Sequence, residues 1–500
     1  MDRRHFVALA AVAGAGSLDR TARALLSSST RAAGGGEQPR APYQAPSVIA
    51  PDGVTLVARP HSVEIAPGVR SEIWSVGDGP VGPTIRARTG DTAHLTLRNE
   101  LAEPTILHWH GLRVPEPADG HPRLAVGTGD SYHYDFPVGD RAGTYWYHAH
   151  PHRRTAVQVY LGMAGFFLIS DAGEDALHLP DGAREIPLLI QDRRSDEAGQ
   201  IRYDITMREQ MEGFFGDTPF GNGIRLPSLK VDTALYRFRV LNGTNSRIVR
   251  LGLSNRQPML LIGGDAGLLP SPVTVTSVDL GTGERADLLV DFSRLRAGER
   301  ITLESVAFPS PSTMGGMGNM RGMGNMRGMG MGAMAARGLP QGAALALLEL
   351  EVARTVHEAP WKPRPFPAIP RLAVADANRS RTFRFASMMM NHTINGRAFA
   401  LDRIDETVRF GDTEVWSFVN DGPFPHPVHL HEAHFQVLRR IGGRGRIMPW
   451  ETGWKDTVLV HPGERVDVIM TFDRNRGRFL MHCHNLVHED MGMMLNFEIV

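Results

Sequence analysis

Cysteine is nearly missing from this sequence: Cys483 is the only one in 500 residues. A disulfide within the chain is therefore excluded. Because His482 and His484 flank it, we interpret Cys483 as a metal ligand or a nucleophile rather than as a structural thiol. The alternative is a small buried side chain that only fills space.

An excess of charge of either sign is also missing, since 54 basic side chains balance 54 acidic ones. This balance argues against nucleic acid or a charged membrane surface as a partner. No segment is long and apolar enough to predict a membrane span. A Gly-x-Ser-x-Gly motif is absent as well, which argues against a serine hydrolase.

The N-terminus carries Arg3 and Arg4 ahead of a short apolar run from Val7 to Leu18. Paired arginines before such a run resemble a twin-arginine export signal. We therefore expect residues 1–45 to be an export signal followed by a flexible linker. The expected location of the protein is the periplasm or the extracellular space.

Two blocks of sequence recur about 320 residues apart. In the first block, Gly90-Asp91-Thr92, Asn99 and His108-Trp109-His110 match Gly411-Asp412-Thr413, Asn420 and His429-Leu430-His431 in spacing. In the second, Gly129, Gly143 and His148-Ala149-His150 match Gly463, Gly477 and His482-Cys483-His484. A third copy between them lacks the histidines: Asn242 corresponds to Asn420, and Gly283-Glu284-Arg285 to Gly463-Glu464-Arg465. The repeat predicts three related modules, of which the middle one binds no metal.

Short alternating or apolar runs, separated by Gly, Pro, Asn and Asp, predict β-strands throughout. Examples are Ala93–Leu97, Tyr236–Val240, Arg285–Asp291 and Val466–Phe472. The predicted fold is all-β, with three sandwich or barrel domains at residues 46–172, 173–355 and 356–500. Helix is expected only as short turns near Val157–Met163 and Leu486–Met491.

A methionine-rich segment, Met314 to Met334, contains eight methionines separated by Gly, Asn and Arg. It lies between two strand-like runs, Ile301–Ala307 and Ala344–Val352, and we interpret it as an insertion in a hairpin of the second domain. Thioethers are soft ligands that suit Cu(I). The alternative is a low-complexity loop without a function.

Histidines form four clusters that include Cys483 and indicate metal centres. The clusters are His108 and His110; His148 and His150; His426, His429 and His431; and His482, His484 and His488. A His-x-His pair on a strand directs both rings to one side, whereas Cys483 points to the other. Cys483, His426, His488 and Met493 have the ligand chemistry of a blue, electron-transferring copper. The other eight histidines suffice for three more coppers.

Zinc sites are the nearest metal alternatives. His431-Glu432-Ala433-His434 is one residue short of the His-Glu-x-x-His signature of zinc proteases. A structural zinc takes four ligands, far fewer than these clusters offer. Both alternatives are therefore disfavoured.

The four clusters, in this order and spacing, resemble the four copper motifs of multicopper oxidases, the family of laccases, bilirubin oxidases and bacterial cuprous oxidases. The resemblance covers residues 50–500 and includes Ala142–His150, Ile394–Arg397 and Trp454–Val458. It implies three cupredoxin-like Greek-key domains that hold four copper ions. One type 1 copper would lie in the third domain, and one type 2 and two type 3 coppers between the first and third domains.

The resemblance also implies a ligand set. It assigns His426, Cys483 and His488 to type 1 copper with Met493 as axial ligand, His108 and His429 to type 2 copper, and His110, His148, His150, His431, His482 and His484 to the type 3 pair. Electrons would pass from Cys483 through the peptide to His482 and His484, and dioxygen would leave as two waters. Glu489 and Asp119 would donate protons; the alternative is that they are ordinary loop carboxylates.

Two activities are consistent with this resemblance. The first hypothesis is a laccase-like oxidation of phenols and aromatic amines coupled to the reduction of dioxygen. The second is oxidation of Cu(I) or another low-valent metal in copper tolerance, with Met314–Met334 as an accessory copper site. In cuprous oxidases, however, the methionine-rich segment belongs to the last domain. A copper-free structural relative is disfavoured because all twelve expected ligands are present, and we expect a monomer.

Overall fold

The computed structural model describes residues 40–310, 338–388 and 391–500. The predicted export signal and the segment Met314–Met334 lie outside these residues, apart from residues 40–45 of the linker. Among the helices of the described ranges, none is long and apolar enough to cross a bilayer. Strands dominate these ranges, so the all-β prediction is confirmed.

The first two sheets are formed by nine strands. These are β1 (Val48–Ile49), β2 (Asp52–Ala66), β3 (Val69–Val76), β4 (Thr84–Arg88), β5 (Thr92–Asn99), β6 (Leu107–His108), β7 (Ser131–Pro137), β8 (Gly143–Ala149) and β9 (Ala164–Ser170). One sheet has the order β3-β2-β5-β7 and the other β1-β4-β9-β8-β6. Their apolar core includes Trp109, Tyr145 and Phe167, all fully buried.

The next two sheets contain twelve strands. These are β10 (Glu185–Arg193), β11 (Thr218–Gly221), β12 (Ile224–Arg225), β13 (Ser228–Asp232), β14 (Leu235–Asn242), β15 (Val249–Leu253), β16 (Met259–Gly264), β17 (Gly267–Val275), β18 (Ser277–Leu280), β19 (Arg285–Asp291), β20 (Arg300–Ser305) and β21 (Leu345–Arg354). Their orders are β12-β11-β10-β14-β19-β16-β17 and β13-β21-β20-β15-β18. Strands β20 and β21 are antiparallel neighbours, and the methionine-rich segment falls between them in the sequence; its interpretation as a hairpin insertion remains a prediction.

The last ten strands form two five-stranded sheets. These are β22 (Arg379–Met388), β23 (Asn391–Ile394), β24 (Glu406–Val408), β25 (Thr413–Asn420), β26 (His426–Leu430), β27 (Phe435–Ile441), β28 (Thr457–Val460), β29 (Arg465–Thr471), β30 (Gly477–Cys483) and β31 (Met494–Ile499). Their orders are β23-β22-β25-β29-β27 and β24-β31-β30-β26-β28. Each pair of sheets thus uses one continuous part of the chain. The exact domain boundaries remain a prediction.

Helices in the described ranges are few and short. They are α1 (Thr155–Leu161), α2 (Ala172–Asp175), α3 (Met207–Glu212) and α4 (Leu486–Asp490), with 3-10 turns at Glu116–Ala118, Pro122–Leu124, Gly182–Arg184, Val374–Asp376 and Pro449–Glu451. The turns expected near Val157 and Leu486 are helices α1 and α4, whereas α2 and α3 were not predicted. A capping box of Thr206 and Glu209 starts α3, and Gly213 at φ +109° ends it.

The repeated asparagines explain why the three modules share one pattern. Asn99, Asn242 and Asn420 each end a strand, and each amide donates to two backbone carbonyls across the following loop. The repeated glycines Gly129, Gly283 and Gly463 donate their backbone N–H to the carbonyls of these three asparagines, at 2.7, 2.9 and 3.0 Å. Each glycine has a positive φ, which disfavours other residues. The repeated spacing of asparagine and glycine therefore corresponds to the same turn in each of the three modules.

A buried cluster of charges joins the first two modules. Arg239 on β14 donates to Glu185 on β10 and, at 3.2 Å, to Thr144 on β8. Arg237 and Arg86 also pair with Glu185. Burial raises the pKa of Glu185, but these arginines outweigh it and hold the pKa at about 2.

We expect Glu185→Gln to lower the stability of the protein at neutral pH by about 1.5–3 kcal/mol, because it removes a buried carboxylate that accepts from charged arginines, although Arg237 and Arg239 keep Glu174 as a partner. The folded pKa lies below that of the unfolded chain, so this stabilisation is present above about pH 4.5 and is lost as the pH falls towards about 2. Thermal unfolding at pH 7 and at about pH 3 checks this. The difference in unfolding temperature between wild type and Glu185→Gln should be smaller in acid. The exposed Glu299→Gln should unfold at the wild-type temperature at both pH values. A difference for Glu185→Gln that does not change with pH would contradict the pairing.

Candidate metal centres

Paired strands bring the predicted ligands opposite one another. His108 on β6 faces His148 on β8, and His429 on β26 faces His482 on β30. Since successive side chains of a strand point to opposite faces, His482 and Cys483 serve two different sites. The end of β30 therefore links a smaller site around Cys483 to a larger cluster of histidines.

The smaller site contains Cys483, His426 and His488, all fully buried. His426 Nδ1 lies 3.3 Å and His488 Nδ1 lies 3.8 Å from Cys483 Sγ, and the two Nδ1 atoms are 3.3 Å apart. Burial lowers the pKa of His426 to about 3 and raises the pKa of the Cys483 thiol. Met493 is buried in the same apolar core, and its carbonyl accepts the Cys483 N–H at 3.0 Å. Its role as axial ligand remains a prediction.

Helix α3 of the second module covers the outer edge of this site. His488 Nε2 donates to the Met211 carbonyl at 3.0 Å, and His392 Nε2 donates to the Gln210 carbonyl at 3.0 Å. Asn485 Nδ2 lies 3.4 Å from the Glu212 carbonyl. The His392 ring stacks on that of His488, with 4.2 Å between centroids. Three successive carbonyls at the end of α3 thus hold His488 and its neighbours.

The other eight histidines form the larger cluster, between strands of the first and third modules. Three groups made only of histidines place their possible ligand atoms within 4.8 Å of one another: His108, His429 and His431; His110, His148 and His484; and His150, His431 and His482. A fourth group combines His110 and His429 with Asp456. Nε2–Nε2 distances are 3.3 Å for His108 and His429, 3.2 Å for His431 and His482, and 3.4 Å for His150 and His482. The structure thus brings together all eleven predicted histidine and cysteine ligands in two sites.

Backbone acceptors fix the orientation of these rings. His108 Nδ1 donates to the Asp119 carbonyl at 2.6 Å, and His429 Nδ1 donates to the Asp456 carbonyl at 2.9 Å. The two Nε2 atoms that face each other therefore carry lone pairs. Burial, followed by the charge of His429, lowers the pKa of His108 well below its usual value and disfavours a proton between them. Two lone pairs that face each other repel, and a metal cation bound between them removes this repulsion.

The two predicted proton donors contact predicted ligands. Asp119 Oδ2 accepts from His431 Nδ1 at 2.8 Å. Glu489, in α4, places one carboxylate oxygen 3.0 Å from His482 Nδ1 and the other 3.6 Å from His150 Nε2. Burial raises the pKa of both carboxyl groups, which favours a proton on them. Their role in proton transfer remains a prediction.

One carboxylate at the larger site was not assigned a role from the sequence. Asp456 Oδ1 lies 3.1 Å from His110 Nε2, and the side chain is fully buried. Although burial raises its pKa, Arg285 and His110 hold the pKa of Asp456 well below its usual range. The only sequence signal was its place in the stretch Trp454–Val458, which gives no function.

Comparison with known proteins decides the family. Sequence profiles described as multicopper oxidase match residues 58–174 and 367–500. A laccase of Bacillus stratosphericus is 31% identical over 492 residues, covering 86% of this chain and 91% of the laccase. The chain belongs to the multicopper oxidase family.

Solved multicopper oxidases also share the fold. McoA from Aquifex aeolicus matches with a TM-score of 0.80 and 32% identity, covering 92% of this chain and 99% of McoA. A Campylobacter jejuni multicopper oxidase, described as a metallo-oxidase, matches with a TM-score of 0.77 and 25% identity, covering 92% and 96%. The domains are thus cupredoxin-like, and the protein is an oxidase.

The donor atoms of this multicopper oxidase fit copper, the metal that the family implies. Several buried ring nitrogens of the larger site have no hydrogen-bond partner within the described ranges, among them His110 Nδ1, His148 Nε2 and His484 Nε2. Neutral imidazole and thiolate are ligands that copper prefers. A bound cation also stabilises the Cys483 thiolate, which burial alone disfavours.

We expect Cys483→Ser to abolish the blue absorption of the copper-loaded protein and its oxidation of donors, because serine removes the thiolate of the smaller site. The larger site should keep its copper, and the chain should stay folded. Absorption spectra, copper analysis and thermal unfolding of variant and wild type check this. An intense blue band in the variant would contradict the assignment of Cys483.

Proposed function

We propose that this multicopper oxidase is laccase-like and oxidises phenols and aromatic amines with dioxygen as the acceptor. The observation that supports it most is the placement of two donor sets on neighbouring residues of one strand, with Cys483 in the smaller site and His482 in the larger. The similarity to the Bacillus stratosphericus laccase supports the substrate class.

The proposal includes four copper ions. Type 1 copper is assigned to His426, Cys483, His488 and Met493, and type 2 copper to His108 and His429. The groups of His110, His148 and His484 and of His150, His431 and His482 are assigned one type 3 copper each. The grouping of ring nitrogens supports this division, although His431 also lies near His108 and His429.

Bound copper supplies one-electron chemistry, which couples donor oxidation to the reduction of dioxygen to water. The chain contributes the surroundings of that chemistry. All eleven histidine and cysteine ligands are at most 1% exposed, so bulk water is excluded. The peptide from Cys483 to His482 and His484 joins the two sites covalently. Glu489 and Asp119 hold protons next to the ligands of the larger site.

Oxidation of Cu(I) or another low-valent metal is the second candidate. The methionine-rich insertion favours it, because thioethers bind Cu(I). The cover over His488 also favours it: His488 Nε2 is occupied by the Met211 carbonyl, so a phenol has no free N–H there. The Campylobacter jejuni relative is described as a metallo-oxidase.

Export and assembly complete the proposal. The paired arginines Arg3 and Arg4 support export to the periplasm or the extracellular space through the twin-arginine route. Dioxygen and a small donor are the proposed partners, and a monomer without nucleic acid is the proposed state. A copper-free relative is disfavoured, because all twelve expected ligand residues are present.

Oxygen consumption by the copper-loaded protein, with a methoxyphenol or with Cu(I) as donor, tests the substrate class. We expect higher kcat/KM with the phenol. Deletion of Met314–Met334 should leave phenol turnover unchanged or raise it, since the segment would at most shield the site. Serine at all eight of its methionines keeps the length and is the matched control. Much higher efficiency with Cu(I), lost in both variants, would establish the metal-oxidase candidate instead.

We expect Glu489→Gln to slow oxygen reduction by about 10²-fold or more, because glutamine cannot transfer a proton. Reduction of the blue copper by a donor without oxygen should keep its rate. Stopped-flow measurement of the two half-reactions separates them. The neighbouring Asp490→Asn is the matched control, since Asp490 is a half-buried carboxylate of the same helix that accepts from the backbone of Thr155 and Ala156. Equal effects in both half-reactions would contradict a proton-transfer role.

A further inference from the structure

One turn of the ligand-free second module, residues 281–285, lies against the larger histidine cluster. A Cβ atom on Gly283 would come within 3.0 Å of His110 Cε1 and 3.1 Å of His484 Cδ2. Thr282 Oγ1 donates to the His484 carbonyl. This turn is the second-module copy of the asparagine and glycine turn described above, and it forms one side of the site.

Arg285, at the end of this turn, connects all three modules. Its Nε donates to the Thr144 carbonyl at 2.9 Å, and Nη1 donates to the Gly283 carbonyl and to Asp456 Oδ1, both at 2.8 Å. Nη2 donates to the Asp265 carbonyl at 2.7 Å and to Asp456 Oδ2. All five N–H groups of the guanidinium have an acceptor, and the side chain is fully buried. Lysine has neither five donors nor this fixed geometry.

Asp456 connects Arg285 to a predicted ligand of the larger site. Its Oδ1 accepts from His110 Nε2 at 3.1 Å and from Thr457 Oγ1 at 2.9 Å. With the proton of His110 on Nε2, the lone pair lies on Nδ1, which has no hydrogen-bond partner among the described residues. His110 forms a group with His148 and His484. A carboxylate behind a ligand histidine sets both its tautomer and its orientation.

We propose that Arg285 is a positioning residue for the type 3 copper assigned to His110, His148 and His484. It holds Asp456, and Asp456 holds His110 with Nδ1 directed into the site. The second module, which supplies no predicted ligand, thus determines the geometry of a copper site shared by the other two. This inference rests on the proposed function, because it concerns how that function's larger site is held.

Copper binding by Arg285→Gln and Arg285→Lys tests the proposal. We expect affinity at the larger site to fall about 10- to 100-fold in both, since a contact behind a metal ligand is lost. The blue absorption of the Cys483 site should stay. The readouts are copper per chain, the blue band and the electron paramagnetic resonance spectrum, in which a coupled copper pair is silent. All three are independent of turnover.

Arg239→Gln is the matched control. Arg239 is also a buried arginine of the second module that contacts Thr144, but it pairs with Glu174 and Glu185 and touches no predicted ligand. We expect it to lower the unfolding temperature and to keep full copper at the larger site. Should Arg285→Gln fail to fold, Asp456→Asn keeps the proposal testable, because its amide oxygen still accepts from His110 but its bonds from Arg285 are weakened.

The outcomes separate the inference from the function on which it rests. Full copper at the larger site in Arg285→Gln, or in Asp456→Asn where that variant is used, would overturn the inference. Equal copper loss in Arg239→Gln would also overturn it, since the effect would then be general instability. Wild-type protein that binds no copper at the larger site would overturn the proposed function itself.

Discussion

The mutual repulsion of buried imidazole lone pairs is the constraint on which the rest of the structure depends. At the larger site, facing Nε2 atoms lie 3.2 to 3.4 Å apart in an interior without bulk water. The opposite nitrogens of His108, His429 and His431 each donate to an acceptor, such as the Asp119 carbonyl behind His108, which keeps the lone pairs on the facing nitrogens. The strands, loops and carboxylates around the site serve to hold those acceptors in place, so that a metal cation is the group that completes the cluster.

The three related modules provide this support with one repeated structural element. The same asparagine and glycine turn closes each module, but the surroundings of the three copies differ. In the first and third modules the paired strands carry histidines. In the second, Gly283 of the turn lies against the rings of His110 and His484, and Arg285 binds Asp456. The middle copy therefore contributes to the site although it supplies no predicted ligand.

Sequence patterns predicted the β-structure and the grouping of the histidines, because both depend on local spacing along strands. The alternation on β30 alone separated Cys483 from His482. Helix α3 was missed because its six residues carry too little periodicity to be distinguished from a loop. The contact of Arg285 with Asp456 was missed for another reason: it joins residues 171 positions apart, and only the packing of two modules creates it. Asp119 and Glu489 were selected by family resemblance, and geometry places both beside predicted ligands.

Helix α3 has a consequence for the proposed entry of electrons at the smaller site. A helix of six residues is not stable on its own, so its position depends on the contacts that its last carbonyls make with His392, Asn485 and His488. Those contacts also fix the His488 ring at the nitrogen opposite Cys483. With the proposed copper at Nδ1, the ring would be held at both nitrogens, which limits its movement when the charge at the site changes. In the proposed function, the same few hydrogen bonds of α3 therefore limit both the access of a donor to the smaller site and the movement of the His488 ring during electron transfer. A substitution that breaks them would expose the site and also free the ring.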